Sequence, residues 1–326
     1  MVHALLLGGT RFIGRHTTEE FLDAGYDVTL ANRGNHPNPF ADDDRVGHVT
    51  CDRREDDQLQ SAADAVDPDV VVDLVAYYPR DVRVATEVFA DVDAYVYVSS
   101  GAAYGEHRVP KIEGETELAT CTEVEATDDS HDTYGKRKAE GDRAVFAAAD
   151  DGVRAMSVRP TIVYGPHDYT ERLDYWLHRI DSYDRVLVPG EGTSLHHLVY
   201  VGDVASALRV VAEEGTAGEA YNVADRHAPA LSELLDIVER ACDTTVQRVN
   251  ASARELAPDL ELDDFPLFND TPHLLSTAKL HGLGWRATSH EAALAPTVAE
   301  HRESKRDGTE RGPRRDVEAD VLDRLS

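Results

Sequence analysis

Apolar residues along this chain fall into short runs, at residues 2–7, 27–31, 46–51, 69–75, 94–99 and 153–163, separated by helix-compatible segments. Runs this short and this uniformly apolar suit strands buried between two layers of helices. Their alternation with helical segments predicts an α/β fold built on a doubly wound parallel sheet. From Gly165 onward the pattern loosens into a helix-like 171–180, a strand-like 195–201, a helix near 204–213 and a strand at 219–223. The expected organisation is a first domain over residues 1–165 and a smaller C-terminal lobe over 166–300, interleaved with the last sheet elements. A charged tail over 301–326 follows, and its stretch 304–315 is so poor in apolar side chains that it is expected to be mobile.

The first apolar run, Met1 to Leu7, reads as a buried strand, and Thr17 to Ala24 reads as the helix after it. The segment Gly8-Gly9-Thr10-Arg11-Phe12-Ile13-Gly14 therefore occupies a strand-to-helix turn, where glycines allow close backbone approach and the helix N-terminus offers N–H groups to an anion. That is the setting of a dinucleotide pyrophosphate in a Rossmann-type domain, although Arg11 holds the place of the usual middle glycine. A second strand at Asp27 to Ala31 follows at the expected distance. Where it ends, Asn32-Arg33-Gly34 replaces the acidic residue that would bind the adenosine ribose hydroxyls of NAD. Arg33 and Arg11 could grip a 2′-phosphate through paired, charge-assisted bonds, so NADP(H) is the preferred cofactor and NAD the alternative.

Tyr134 and Lys138 stand four apart on a predicted helix and leave the same face one turn from each other. A free phenol titrates near about 10, but an adjacent ammonium favours the phenolate, so Tyr134 could exchange a proton with a substrate hydroxyl or carbonyl. Lys138 would also hold the cofactor ribose. The run Tyr95 to Val98 reads as a strand ending in Ser99-Ser100, at the carboxyl edge where open α/β sheets bind ligands. Ser100 is the candidate for orienting the substrate oxygen, with Ser99 as the fallback. Catalysis by Ser100, Tyr134 and Lys138 is the expectation.

Composition narrows the classes further. The chain has 326 residues, and its 62 Asp and Glu against 33 Lys and Arg give a formal charge of −29. Of the basic residues only 5 are Lys and 28 are Arg, and the acidic ones are spread over surface turns such as Asp42-Asp43-Asp44 and Asp263-Asp264. This halophile-like balance suits a protein hydrated in a salt-rich cytoplasm and argues against binding nucleic acid, which needs surplus Lys and Arg. Cys51, Cys121 and Cys242 are odd in number and far apart, which suggests neither a disulfide framework nor a thiolate metal site. No metal-binding His spacing, signal peptide or bilayer-length apolar run is evident. The expectation is a cytoplasmic protein with no metal, no membrane partner and a small-molecule substrate.

Taken in order, these motifs resemble the extended and atypical short-chain dehydrogenase/reductase superfamily, the NAD-dependent epimerases and dehydratases. The resemblance runs over roughly residues 1 to 300. It includes Asp69-Val70-Val71-Val72-Asp73-Leu74-Val75-Ala76, Val158-Arg159-Pro160-Thr161-Ile162-Val163-Tyr164-Gly165-Pro166, Tyr200-Val201-Gly202-Asp203-Val204-Ala205, Ala220-Tyr221-Asn222-Val223 and Gly282-Leu283-Gly284-Trp285. By this resemblance Ser100, Tyr134 and Lys138 form the catalytic triad, Asp52 and Arg53 lie near the adenine, and Leu74, Val75 and Ala76 line the cofactor. The wording of the glycine turn and of Asn32-Arg33-Gly34 looks closest to an atypical subgroup that also contains the chloroplast stem-loop-binding proteins. A homodimer is the habit of the superfamily.

The chain also departs from the family pattern. Sugar-nucleotide enzymes of the superfamily commonly hold the substrate diphosphate with two arginines, but the first position reads His196 and the stretch 263–279 holds no Arg. Arg172, Arg179 and Arg248 are candidate substitutes. A dehydratase would place an acid and a base beside Ser100, where Gly101 and Ala102 stand. Three readings follow. The first is an NAD(P)-dependent oxidoreductase or epimerase, or isomerase, acting at a secondary alcohol or ketone of a sugar-like substrate. The second is a redox-silent NADP-binding regulator, and the third an RNA-binding relative of the stem-loop-binding proteins.

Self-repulsion at a charge of −29 grows as salt is withdrawn, because the Debye length stretches from about 3 Å at 1 M to about 30 Å at 0.01 M. The melting temperature measured by circular dichroism is therefore expected to fall steadily as potassium chloride is diluted from molar to millimolar. A melting temperature indifferent to salt would contradict the adaptation.

Overall fold

The computed structural model describes residues 2–325; Met1, assigned to the first apolar run, and Ser326, at the end of the tail, lie outside the described residues. The chain divides into two units. The first comprises the residues up to 163 together with 201–224 and 275–287, and the second comprises 164–200, 225–274 and the residues from 288 on. The interleaving is deeper than the sequence pattern implies, because the second unit is built from three separate stretches.

In the first unit, β1 (His3–Leu7), β2 (Asp27–Asn32), β3 (Val46–Thr50), β4 (Val70–Asp73), β5 (Ala94–Val98) and β6 (Ala155–Pro160) join a seventh strand, Ala220–Val223. The order across the sheet is seventh strand, β6, β5, β4, β1, β2, β3, with every pair parallel. The strand order reverses between β1 and β4, and this switch point opens a crevice at the carboxyl ends of the strands. Every residue of β4, β5 and β6 is buried, as a strand covered on both faces requires, whereas no residue of edge strand β3 is fully buried. Helices α1 (Phe12–Asp23), α2 (Asp56–Val66), α3 (Pro79–Val88), α4 (Tyr134–Asp150) and α6 (Val201–Glu214) surround the sheet, and α5 (Arg172–Ser182) belongs to the second unit. Leu5, Leu7, Val71, Tyr95 and Tyr97 from the strands meet Leu59, Val82, Ala85 and Val145 from α2, α3 and α4 in one apolar core. Among the described residues no helix is long and apolar enough to cross a membrane.

Two expectations are corrected. The run 153–163 is not one strand: β6 ends at Pro160, which has no N–H to extend a ladder, and a separate strand follows at Ile162–Tyr164. The region expected to be a mobile tail instead ends in a helix, Arg315–Arg324, fastened inside the second unit. Glu318, fully buried, accepts Arg179 Nε of α5 at 2.6 Å and the backbone N–H of Leu187 at 3.1 Å, while Arg179 also donates to the carbonyl of Pro313 at 2.8 Å. Val321 and Leu322 are buried beside it. The low apolar content misleads because a desolvated ion pair, joined to only a few apolar contacts, does the fastening.

Replacing Glu318 by Gln removes the charge opposite a buried guanidinium, a change that typically costs about 3 to 5 kcal/mol. Urea unfolding at molar salt is expected to register a loss of that order. A midpoint equal to that of the parent would show that the pair carries no net stability.

Candidate active site

The glycine turn follows β1 directly. Gly8 and Gly9 adopt φ of 118° and 90°, conformations that side-chain-bearing residues rarely reach. A Cβ on Gly14 would lie 2.7 Å from the backbone nitrogen of Gly9, so α1 presses onto the turn itself. Buried Thr18 latches that contact, its hydroxyl donating to the carbonyls of Gly9 at 3.1 Å and Gly14 at 2.9 Å. The helix starts at Phe12, earlier than the expected Thr17, with Arg11 extended at its N-cap and no acidic residue in its first turn. Thr10 and Ile13 are half-buried within the same turn. This cradle fits a pyrophosphate: it brings backbone N–H groups together at a positive helix end and has no room for further side chains.

The neighbouring strand ends complete the crevice. Asn32, last in β2, donates to the carbonyl of Gly8 at 3.3 Å and accepts the N–H of Gly34 at 2.8 Å, tying that strand end to the turn. Exposed Arg33 stands between them, and Arg11 Nη1 lies 3.3 Å from His36 Nε2, which places both guanidinium-bearing segments beside one another. A Cβ on Gly8 would stand 3.2 Å from Val75 Cγ1 and 3.3 Å from Leu74 Cβ, so the segment after β4 walls the turn. Asp52, after β3, accepts the N–H of Arg54 at 3.1 Å. Arg53 departs from the position implied by the resemblance: its guanidinium turns into the core, with Nη2 at 2.5 Å from Asp73 Oδ2 and Nη1 at 3.4 Å from Asp81 Oδ2.

The catalytic candidates gather at the next strand end. Ser99 is buried, and Ser100 Oγ accepts the N–H of Ala102 at 3.1 Å at the start of a single 3₁₀ turn, Gly101–Ala103. Tyr134 is the first residue of α4 and Lys138 lies one turn later, as the spacing predicts. A Cβ on Gly135 would fall 2.3 Å from the carbonyl oxygen of Ala102, so the missing side chain lets the Tyr134 end of α4 dock against the Ser100 turn. Lys138 is 2% exposed; its ammonium donates to the carbonyls of Ala76 at 2.9 Å and Val98 at 2.8 Å. It also lies 4.9, 5.3 and 5.8 Å from the ring centroids of Tyr97, Tyr77 and Tyr134. Burial pushes the ammonium down to about 8, against the pull of Asp73 and Asp142.

Comparison with known proteins decides the family. Residues 4–224 match the NAD dependent epimerase/dehydratase family. The chain belongs to that family. Among curated relatives, the chloroplast stem-loop binding protein of 41 kDa b of Arabidopsis thaliana is 29% identical over 231 residues, covering 67% of this chain and 57% of the relative. The low-salt glycan biosynthesis protein Agl12 of Haloferax volcanii is 24% identical over 308 residues, covering 86% and 92%. Matches to the trifunctional UDP-glucose 4,6-dehydratase/epimerase/UDP-4-keto-L-rhamnose-reductases of Arabidopsis span 30% of their length, and the chain covers between 30% and 57% of the first curated relatives. In solved structures, the dTDP-glucose 4,6-dehydratase of Bacillus anthracis, in complex with NAD, superposes with a TM-score of 0.74 at 18% identity, over 94% of this chain and 98% of that one. The UDP-glucose 4-epimerase of Thermotoga maritima gives 0.73 at 20%, over 93% and 99%. These likenesses establish the epimerase/dehydratase fold.

Within the second unit, the arginines considered as substitute clamps of this family are occupied. Arg179 is buried against Glu318, and Arg248 pairs with Asp236 at 2.7 Å and Glu239 at 3.0 Å. Arg172 donates to Thr170 Oγ1 at 3.3 Å. His196 is buried with Nε2 at 3.0 Å from Ser194 Oγ, and desolvation lowers its pKa to about 4, so it is neutral near pH 7. Sequence reasoning missed the bracing of Lys138 by two strand-end carbonyls and the acid beneath it. The available signal was Asp73, a carboxylate closing an otherwise apolar strand.

Gly135→Ala would drive a methyl group against the Ala102 carbonyl. Overpacking of this kind costs about 1 to 3 kcal/mol, and a urea titration should show it; an unaltered midpoint would mean that α4 and the 3₁₀ turn separate freely.

Proposed function

We propose that this chain is an NAD(P)-dependent oxidoreductase or epimerase acting at a secondary alcohol or ketone of a sugar-nucleotide-like substrate. The observation that carries the reading is the docking of the start of α4, which presents Tyr134 and Lys138 one helical turn apart, against the Ser100 turn at the carboxyl end of β5. When bound, the nicotinamide supplies the centre that accepts or returns a hydride. Gly8 to Gly14 would hold the pyrophosphate, Leu74, Val75 and Ala76 would line the bound dinucleotide, and Lys138 would reach the ribose.

Tyr134 exchanges the proton of the substrate oxygen, and the nearby ammonium of Lys138 lowers the cost of its phenolate. Because Ser100 Oγ accepts the N–H of Ala102, its own hydrogen is left to donate to that same oxygen and orient it. Gly101 and Ala102 carry no acid or base for eliminating water, which favours reduction or epimerisation over dehydration. For the cofactor we favour NADP(H): Arg33 follows the end of β2 and Arg11 reaches His36 three residues further on, so both could be offered to a 2′-phosphate. The names of the dehydratase and epimerase relatives support a nucleotide sugar as the substrate class. The stem-loop binding relative favours an RNA ligand, a reading that a charge of −29 opposes.

The test is Tyr134→Phe, assayed at high salt on a panel of nucleotide sugars. Turnover is expected to fall by roughly 10²- to 10⁴-fold, while NADPH affinity by fluorescence stays that of the parent. Equal turnover in the variant would remove Tyr134 from the chemistry. An RNA gel shift at matched salt decides against the third reading if no complex forms.

A further inference from the structure

Beneath the site lies a group of buried charges that the proton-transfer scheme does not use. Asp73, fully buried at the end of β4, receives Arg53 Nη2 at 2.5 Å and the Tyr95 hydroxyl at 2.8 Å on one oxygen, and the N–H of Val75 at 3.3 Å on the other. Arg53 also faces Asp81, whose carboxylate accepts the N–H of Tyr78 at 3.3 Å at the start of α3. This cluster of one guanidinium and two carboxylates has one uncompensated negative charge. The ammonium of Lys138 is held at the same strand ends, by the carbonyl of Ala76 three residues past the Asp73 strand and by that of Val98. Asp142, the other buried acid acting on Lys138 from α4, is already matched by Arg159 Nε at 2.8 Å.

We infer that Asp73 is a positioning residue for Lys138: it supplies the buried countercharge that keeps the amine protonated, and through the Val75 N–H it fixes the segment whose carbonyl holds that amine. The inference rests on the reading of Lys138 as the cation of the active site. The groups facing Lys138 are Asp73 on β4, Arg53 after β3, Tyr77 after β4, Tyr97 on β5, and Tyr134, Arg137 and Asp142 on α4. Of these, Asp73 and Asp142 raise its proton affinity, and Arg53 and Arg137 lower it. Since desolvation leaves the ammonium titrating at about 8, it is charged below that pH and neutral above it, and loss of Asp73 must shift the transition downward.

The sequence makes a direct measurement practical, because only five lysines are present: Lys111, Lys136, Lys138, Lys279 and Lys305. In full-length protein carrying ¹³C-labelled lysine, at high salt and with neither dinucleotide nor substrate, the Lys138 Cε resonance is assigned by Lys138→Met. It is expected to titrate below the exposed lysines in the parent. Asp73→Asn should lower its midpoint by about one pH unit or more, while Arg53→Gln should raise it. Opposite signs from two members of one buried cluster cannot arise from loosened packing, which would return both midpoints toward that of free lysine. If either variant fails to fold, Arg137→Gln tests the same field from α4, with an expected upward shift. A parent midpoint equal to that of the exposed lysines, or shifts of the same sign for Asp73→Asn and Arg53→Gln, overturns the inference. The measurement needs no turnover, so it stands or falls separately from the assignment of Tyr134.

Discussion

A single ammonium held away from water organises the candidate active site. Lys138 gives up hydration, and the two carbonyls it gains come from the segment after β4 and from the last residue of β5, so its position reports the relative placement of β4, β5 and α4 together. That is a severe constraint, because a desolvated cation is tolerated only where its donors are satisfied and negative charge is near. The sheet meets the requirement by ending strands there, where carbonyls no longer engaged in a ladder point into the crevice. Tyr134 and Ser100 are then drawn to the same place by the close approach that Gly135 permits.

Much of the fold was legible in the chain because its strands are buried on both faces. Val70-Val71-Val72 and Tyr95-Val96-Tyr97-Val98 leave no polar face to confuse with a surface helix, and the glycine turn marks where the first strand hands over to its helix. The pairing of Tyr134 with Lys138 was legible for a similar reason, since a spacing of four needs only a helix to become a contact. Neighbours brought together from distant segments were not legible. Nothing local in Arg53 says that it turns inward, because that depends on Asp73 and Asp81, twenty and twenty-eight residues later. The boundaries of the two units escaped detection for the same reason: the chain returns to the first unit twice, through stretches distant in sequence from the rest of that unit.

The family gives this chain its architecture, and the departures give it its character. The position that reads His196 is filled by a buried, neutral imidazole, and Arg179 and Arg248 of the second unit are committed to acids within that unit. A ligand recognised there would meet hydrogen-bonding groups more than fixed positive charge. In a protein whose surface carries so many carboxylates, such neutrality also spares an anionic ligand from competing with dense counter-ions for a cationic pocket.

The pair formed by Arg179 and Glu318 has a consequence at high ionic strength. Dissolved ions weaken charge pairs only where they can come between or around them, and both of these side chains are wholly enclosed. Concentrated electrolyte therefore quiets the crowded carboxylates outside while leaving this inner clasp at full strength. The closing helix of the chain is thus secured by a fastening that is blind to the medium around it.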